Sequence, residues 1–79
     1  MLPPKLPSDV KQSRLLKALG KVGFIIDQSH GKGSHAQAVD PKSGRYITVP
    51  NYLYKIALYE ILKLAEELGY DANEIMNKY

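Results

Sequence analysis

The sequence contains no cysteine, so neither a disulfide framework nor a thiolate metal site is possible. No apolar run approaches the roughly 20 residues that a membrane-spanning helix needs, and the first residues lack the apolar core of a secretory signal. Internal repeats and low-complexity tracts are also missing. With 79 residues, the chain has room for one small domain with a modest core. These absences predict a single domain, residues 1–79, in the reducing cytoplasm, with no membrane partner.

Charge is divided unevenly along the chain. Residues 1–55 hold nine lysines and arginines against three acids, whereas residues 56–79 hold two basic residues against five acids. Together with a net charge of +3, this asymmetry favours an anionic partner on one face, and nucleic acid is the commonest such partner. A solvated, lysine-rich surface explains the charge alone equally well, so a functional prediction has to come from the motifs.

The spacing of apolar residues predicts helices at both ends of the chain. After an extended, proline-containing lead-in at 1–7, leucines recur at helical spacing and predict an amphipathic helix over about 9–22. Ser8 or Asp9 is expected to cap this helix, and Gly23 to end it, with Gly20 as an alternative end one turn earlier. A second apolar stripe, within 58–68, predicts a helix that Gly69 ends. Asp71 is expected to cap a short final helix within 70–79.

Between the helices, composition predicts three strands, at 23–29, 34–39 and 45–49, with a turn at 40–44. A tight turn pairs Asp40 with Arg45, which places the apolar residues of both strands on one face. His35 then lies on the other face, and Asp27 or Ser29 is expected on the same side. Helices at both ends of such a meander cover one face of it, which predicts a two-layer α+β domain of the order α-β-β-β-α.

A glycine-rich cationic turn, Gly31-Lys32-Gly33-Ser34, leads directly into His35. The glycines permit positive φ and a close approach of the backbone to a ligand. Lys32 is expected at the tip, and the imidazole of His35 is the side chain best suited to move protons near neutral pH. The pattern favours phosphate binding or phosphodiester chemistry. From the residues alone, a surface histidine ending a turn explains His35 at least as well.

Gly33-Ser34-His35 on the second strand, followed by Thr48-Val49-Pro50 and preceded by Gly23-Phe24 behind a basic helix, resembles the HicA family of toxins. The resemblance begins at Leu6-Pro7 and reaches the helix that contains 58–62, so it covers nearly the whole chain. The order and spacing of these short pieces carry it.

This resemblance implies a double-stranded-RNA-binding-domain-like fold and an mRNA interferase, the toxin of a toxin–antitoxin pair. It implies that His35 is the catalytic general acid/base in a transesterification that needs no metal or other cofactor. It also implies a HicB-type antitoxin that blocks the same surface. The expected RNA- or phosphate-binding residues are Lys32, Gly33, Ser34, Arg14 and Lys55.

The chain departs from the family pattern at three places near the motif. Ala38 stands where an aromatic residue is frequent, and Asp40 stands where a histidine often precedes the turn proline. Asn51-Tyr52 replaces a histidine often found after the Val-Pro pair. The central histidine of the motif is therefore kept, whereas residues that flank it in the family differ.

Two other functions fit the same residues. One is a non-catalytic module of this fold that binds RNA by shape, and the other is a protein-interaction domain whose basic face meets an acidic partner. His30 and His35 are two histidines without a third ligand or an acidic cluster, which makes a poor metal site, and His30 is expected to be a turn or surface residue. The tyrosines of the second half either stack on bases or pack on the sheet; they are Tyr46, Tyr52, Tyr54 and Tyr59.

Overall fold

The structure, a computed structural model, describes residues 10–28 and 35–79. Its elements follow the predicted α-β-β-β-α order, with a further short helix at the end. In chain order they are α1 (Gln12–Val22), β1 (Ile25–Asp27), β2 (His35–Val39), β3 (Tyr46–Pro50), α2 (Lys55–Glu67) and α3 (Ala72–Asn77). The strands form one antiparallel sheet in the order β1-β2-β3. The predicted α+β fold class is therefore confirmed.

The register of the β2–β3 hairpin is the predicted one. The Asp40 amide donates to the Arg45 carbonyl at 2.7 Å, and Ala38 lies opposite Ile47. On β1, Ile26 lies opposite Ala38, so its side chain shares the face of the hairpin's apolar residues. The alternate residues of β2 and β3 on that face are buried, which shows that this face packs against the helices.

The core lies between this face and the three helices. Its largest fully buried apolar side chains come from all three helices and from β3, and they are Leu15, Leu19, Ile47, Val49, Leu58, Leu62 and Ile75. The final helix packs onto the core through Ile75, which is 0% exposed. The predicted cap is confirmed by the Asp71 carboxylate, which accepts from the Asn73 amide at 3.0 Å. No helix in the described part of the chain is both long enough and apolar enough to cross a membrane.

Three predicted boundaries are wrong by a few residues. Helix α1 begins at Gln12 rather than near residue 9, because Lys11 is extended and its amide donates to the Tyr79 hydroxyl at 2.8 Å. Strand β1 is limited to Ile25–Asp27, since the preceding residues complete the end of α1. Strand β3 begins one residue later than predicted and includes Pro50, which an edge strand tolerates because one row of its amides has no partner among the described strands. The predicted lead-in and the caps Ser8 and Asp9 lie outside the described residues.

Helix α1 ends in a Schellman motif. Gly23 has φ 127°, a conformation that glycine adopts without steric cost. Its amide donates to the Gly20 carbonyl at 3.2 Å, and the Phe24 amide donates to the Leu19 carbonyl at 3.0 Å. The predicted end of α1 at Gly23 is confirmed.

Helix α2 ends in the same way. Gly69 has φ 97°, its amide donates to the Glu66 carbonyl at 3.0 Å, and the Tyr70 amide donates to the Ala65 carbonyl at 3.0 Å. The residues that follow the two glycines, Phe24 and Tyr70, stack on each other with ring centroids 4.2 Å apart. One aromatic pair thus joins the ends of the two long helices.

Tyr70 also reaches the β2–β3 turn, where Asp40 is a buried carboxylate. Asp40 is 2% exposed. Its carboxylate accepts from the Ser43 hydroxyl at 2.7 Å, the Tyr70 hydroxyl at 2.7 Å and the Lys42 amide at 3.3 Å. Hydrogen bonds from Ser43 first, and then from Tyr70, lower the pKa of Asp40 below its ordinary value of 3.8. This carboxylate connects the hairpin to the C-terminal half of the domain.

The Tyr70→Phe variant keeps the aromatic stack but removes one donor from Asp40. Because a buried charged acceptor loses a partner, we expect Tm to fall by roughly 4–8 °C at neutral pH. Tyr59→Phe, on an exposed tyrosine of α2, is the matched control and should leave Tm unchanged. Thermal melts followed by circular dichroism measure both, and an unchanged Tm for Tyr70→Phe would contradict the assigned role.

The pH dependence of stability has a predictable sign at both ends of the scale. Because the folded-state pKa of Asp40 is depressed, its contribution is present above 3.8 and is lost as pH falls through the lower folded pKa. Burial and the neighbouring Asp40 raise the pKa of Tyr70, so its contribution is present below 10.0 and is lost as pH rises through the raised value. Tm measured against pH should therefore fall at both extremes, and Tyr70→Phe should flatten both falls.

Candidate functional site

The face of the sheet opposite the helices carries the predicted catalytic residue. Side chains on this face form rows across the strands, because directly paired residues point the same way. The rows are Ile25–Val39–Tyr46, then Asp27–Gln37–Thr48, then His35–Pro50. The face thus changes from apolar beside the 40–44 turn to polar in the middle, and it ends at a histidine.

His35 is the first residue of β2, is exposed, and lies opposite Pro50. Its predicted position is confirmed on the face opposite the helices, which no element of residues 10–28 and 35–79 covers and which is hereafter the uncovered face. Asp27 lies on the same face, since it pairs with Gln37, which is two residues beyond His35. The expectation that Asp27 shares the side of His35 is therefore also confirmed by the register.

The starts of both long helices lie at the His35 end of the sheet. The Gln12 side-chain amide donates to the Val49 carbonyl at 3.1 Å, which fixes the first turn of α1 beside the end of β3. After Pro50, the short segment 51–54 leads into α2, whose first residue is Lys55. The first turns of α1 and α2, which contain Arg14 and Lys55, thus flank or follow the end of β3 that pairs with His35.

Arg14 is engaged inside the molecule. Its Nε and Nη2 donate to the Tyr79 main-chain oxygen at 3.1 and 2.7 Å, and its guanidinium lies 4.6 Å from the centroid of the Tyr79 ring. Arg14 therefore connects α1 to the last described residue. Its predicted contact with RNA stays a prediction, and the structure gives it a second, structural role that the sequence did not indicate.

Arg14, which contacts Tyr79, and Lys17, which is exposed, are expected to differ in their contribution to the free energy of unfolding. Arg14→Ala removes two hydrogen bonds and a cation–π contact, so we expect a loss of about 1–2 kcal/mol in the free energy of unfolding. Lys17→Ala, one helical turn further on an exposed position, should change that free energy by less than about 0.5 kcal/mol. Urea denaturation measures both, and equal stability of the two variants would show that the Tyr79 contacts contribute nothing.

The other residues predicted to bind RNA or phosphate lie either at the start of α2 or outside the described residues. Lys55 is exposed at the start of α2. Lys32, Gly33 and Ser34 lie outside the described residues, as does His30. In the described part of the chain, no group of three or more histidine, aspartate or glutamate side chains is arranged to hold a metal ion.

A groove at the same end of the domain is not evident from the sequence. It has a volume of about 360 Å³ and lies between residues 10–13 and residues 51–53. Tyr52, on its wall, is 79% exposed. The available sequence signal was Asn51-Tyr52 directly after a strand-ending proline. That pattern predicts a linker, and the groove exists only because the start of α1 packs beside it.

Comparisons with known proteins found no match among protein-family models, curated proteins or solved structures. The resemblance to HicA toxins accordingly stays a prediction drawn from the residues of the chain.

Proposed function

We propose that this protein is a small endoribonuclease of the toxin type, which cleaves mRNA in the cytoplasm with His35 as general acid/base. The observation that carries the proposal is the position of His35. It is exposed on the uncovered face of the sheet, at the end where both long helices begin. The sequence resemblance to HicA toxins supplies the reaction, and the fold has the element order that this resemblance implies.

The proposed reaction needs one group that can accept and return a proton. The 2′-hydroxyl of a ribose attacks the adjacent phosphorus, so that an O2′–P bond forms and the P–O5′ bond breaks. The neutral imidazole of His35 takes the 2′-hydroxyl proton, and the imidazolium delivers a proton to the departing 5′-oxygen. The products are a 2′,3′-cyclic phosphate and a 5′-hydroxyl.

Basic side chains supply the attraction to the phosphate backbone. Lys17, Lys21 and Lys55 are exposed on the described surface, and we assign Lys55, at the His35 end of the domain, to phosphate binding near the reacting group. Lys32, with Gly33 and Ser34, is proposed to stabilise the charge that develops on the phosphate oxygens. Arg14 is proposed to contribute through the positive field of α1.

A HicB-type antitoxin is the proposed protein partner. The apolar row at the far end of the uncovered face supports this, because Ile25 is 57% exposed and Tyr46 is 58% exposed. A protein that covers this row also lies over the sheet face that ends at His35. Burial of such a row is what drives most protein–protein association.

The test is incubation of the purified protein with an end-labelled single-stranded RNA in EDTA. Fragments that carry a 2′,3′-cyclic phosphate and a 5′-hydroxyl are the expected result. Intact RNA would overturn the proposal, and fragments with a 5′-phosphate would overturn the transesterification mechanism.

The second candidate function is RNA binding without cleavage. The exposed lysines of α1 favour it, since they can bind a phosphate backbone without any catalytic group. Under this function the wild type leaves RNA intact but binds it with an affinity that falls steeply with salt concentration. A protein-interaction domain, by contrast, shows no salt-dependent affinity for RNA.

A further inference from the structure

We propose that the groove between residues 10–13 and 51–53 is a base-binding subsite for single-stranded RNA, in which an unstacked base lies on the ring of Tyr52. This inference rests on the proposed function and specifies the form of its substrate. It concerns a part of the chain that the cationic turn and the histidine motif do not include.

The position of the groove follows from strand pairing. His35 lies opposite Pro50, and directly opposed residues of antiparallel strands have Cα atoms about 4.5–5.5 Å apart. Each further residue adds at most about 3.8 Å, so the Tyr52 Cα lies within roughly 13 Å of the His35 Cα. A base held on Tyr52 therefore lies at the same end of the sheet as His35.

Tyr52 is presented as a stacking surface. It is 79% exposed, and its ring meets the Tyr54 ring at 78° with centroids 5.8 Å apart. In a contact at this angle, the edge of one ring lies on a face of the other. The contact orients the two rings, and it covers at most one of the four faces that the two rings have together. Aromatic side chains in this state are the usual platforms for single-stranded bases.

The other walls of the groove suit a nucleotide better than an apolar peptide. Lys11, Ser13 and Asn51 are exposed. The Asn51 amide both donates and accepts, as the edge of a base requires, and Lys11 offers a positive charge to the phosphate. None of the described residues that line the groove is acidic, so none of them repels an anion.

The form of RNA follows from the same contacts. In a duplex the faces of the bases are covered by their neighbours and are closed to a side chain, whereas a single strand can turn a base outward. Recognition through Tyr52 therefore requires single-stranded RNA. The sheet face contributes the reacting group, His35, and α1 contributes positive charge.

The experiment measures binding of a short fluorescein-labelled single-stranded RNA by fluorescence anisotropy, with every variant made in the His35→Ala background to prevent cleavage. Tyr52→Ala should weaken binding by roughly 5- to 150-fold, whereas Tyr52→Phe should bind like the parent. Tyr59→Ala is the matched control, because Tyr59 is 45% exposed on α2, outside the groove and outside the sheet face that carries His35, and it should leave affinity unchanged. A blunt RNA duplex should show no difference between Tyr52→Ala and the parent.

If Tyr52→Ala binds single-stranded RNA as tightly as the parent does, the subsite is overturned. The subsite is also overturned if Tyr52→Ala loses as much affinity for the duplex as for the single strand. Failure of the two proposals can be told apart by adding the cleavage assay on the His35-containing protein. Tyr52-dependent binding without cleavage supports the subsite and overturns the ribonuclease. Cleavage with Tyr52-independent binding overturns the subsite alone, and the absence of any RNA binding overturns both.

Discussion

Replacing His35 with alanine is expected to reduce RNA cleavage by roughly 10²–10⁴-fold, the usual effect of losing one general acid/base group. The side chain lies outside the core, on the uncovered face of the sheet, so the variant should fold like the wild type. Single-turnover cleavage of a labelled RNA in EDTA measures the rate, and circular dichroism measures the fold.

Two further variants make the His35 result specific. His35→Gln keeps a polar side chain that can hydrogen-bond but cannot transfer a proton at neutral pH, so it should be as inactive as His35→Ala. Thr48→Ala alters an exposed residue of the neighbouring row and should retain most of the activity. Cleavage by His35→Ala at the wild-type rate would falsify the assignment of His35. RNA binding by His35→Ala should be retained, since its phosphate contacts come from basic residues.

Replacing Leu62 with alanine is expected to have the largest effect on stability. Leu62 is 0% exposed in α2, and truncation of a buried leucine costs about 2–5 kcal/mol through lost burial and the remaining cavity. A chain of 79 residues has a total free energy of unfolding of about 4–12 kcal/mol. The substitution therefore removes a large fraction of the stability, and a loss of about 5 kcal/mol leaves the domain mostly unfolded if its total stability lies near the lower limit of about 4 kcal/mol.

Leu64 provides the control for this prediction on the same helix. It is 42% exposed, so Leu64→Ala should change the free energy of unfolding by less than about 1 kcal/mol. Urea denaturation compares the two variants. Equal losses would show that the burial difference between Leu62 and Leu64 does not determine their contributions. If Leu62→Ala is still folded at low temperature, its cleavage rate per folded molecule should match the wild type, because Leu62 lies away from the uncovered face.

The sequence was sufficient for much of the fold. Helical spacing in 15–22 and 58–68 predicts α1 and α2, and Gly23 and Gly69 end these helices where the structure ends them. Strict alternation in β2 and β3 determines the register, because a slip by one residue would expose the apolar side of the hairpin. That register alone is enough to place His35 on the uncovered face.

The sequence was less informative about the boundaries of elements and about the partners of polar side chains. The composition of 40–44 predicts a turn at Asp40, whereas the burial of its carboxylate depends on Tyr70, which is 30 residues further along the chain. The helical pattern predicts that Arg14 is a surface cation, whereas in the structure it donates to the main-chain oxygen of Tyr79, 65 residues away. Neither partner belongs to the local pattern of the residue that it contacts.

Local periodicity thus determined the order of the elements, the strand register and the side of the sheet that carries His35, since each depends on which face of a short segment is apolar. Tertiary structure alone decided where α1 begins, that Arg14 is engaged, and that Tyr52 borders a groove near His35. These features arise where residues 10–13, 49–53 and 79 meet. Contacts between segments so distant in sequence depend on how the helices pack on the sheet, which no periodic pattern within one segment contains.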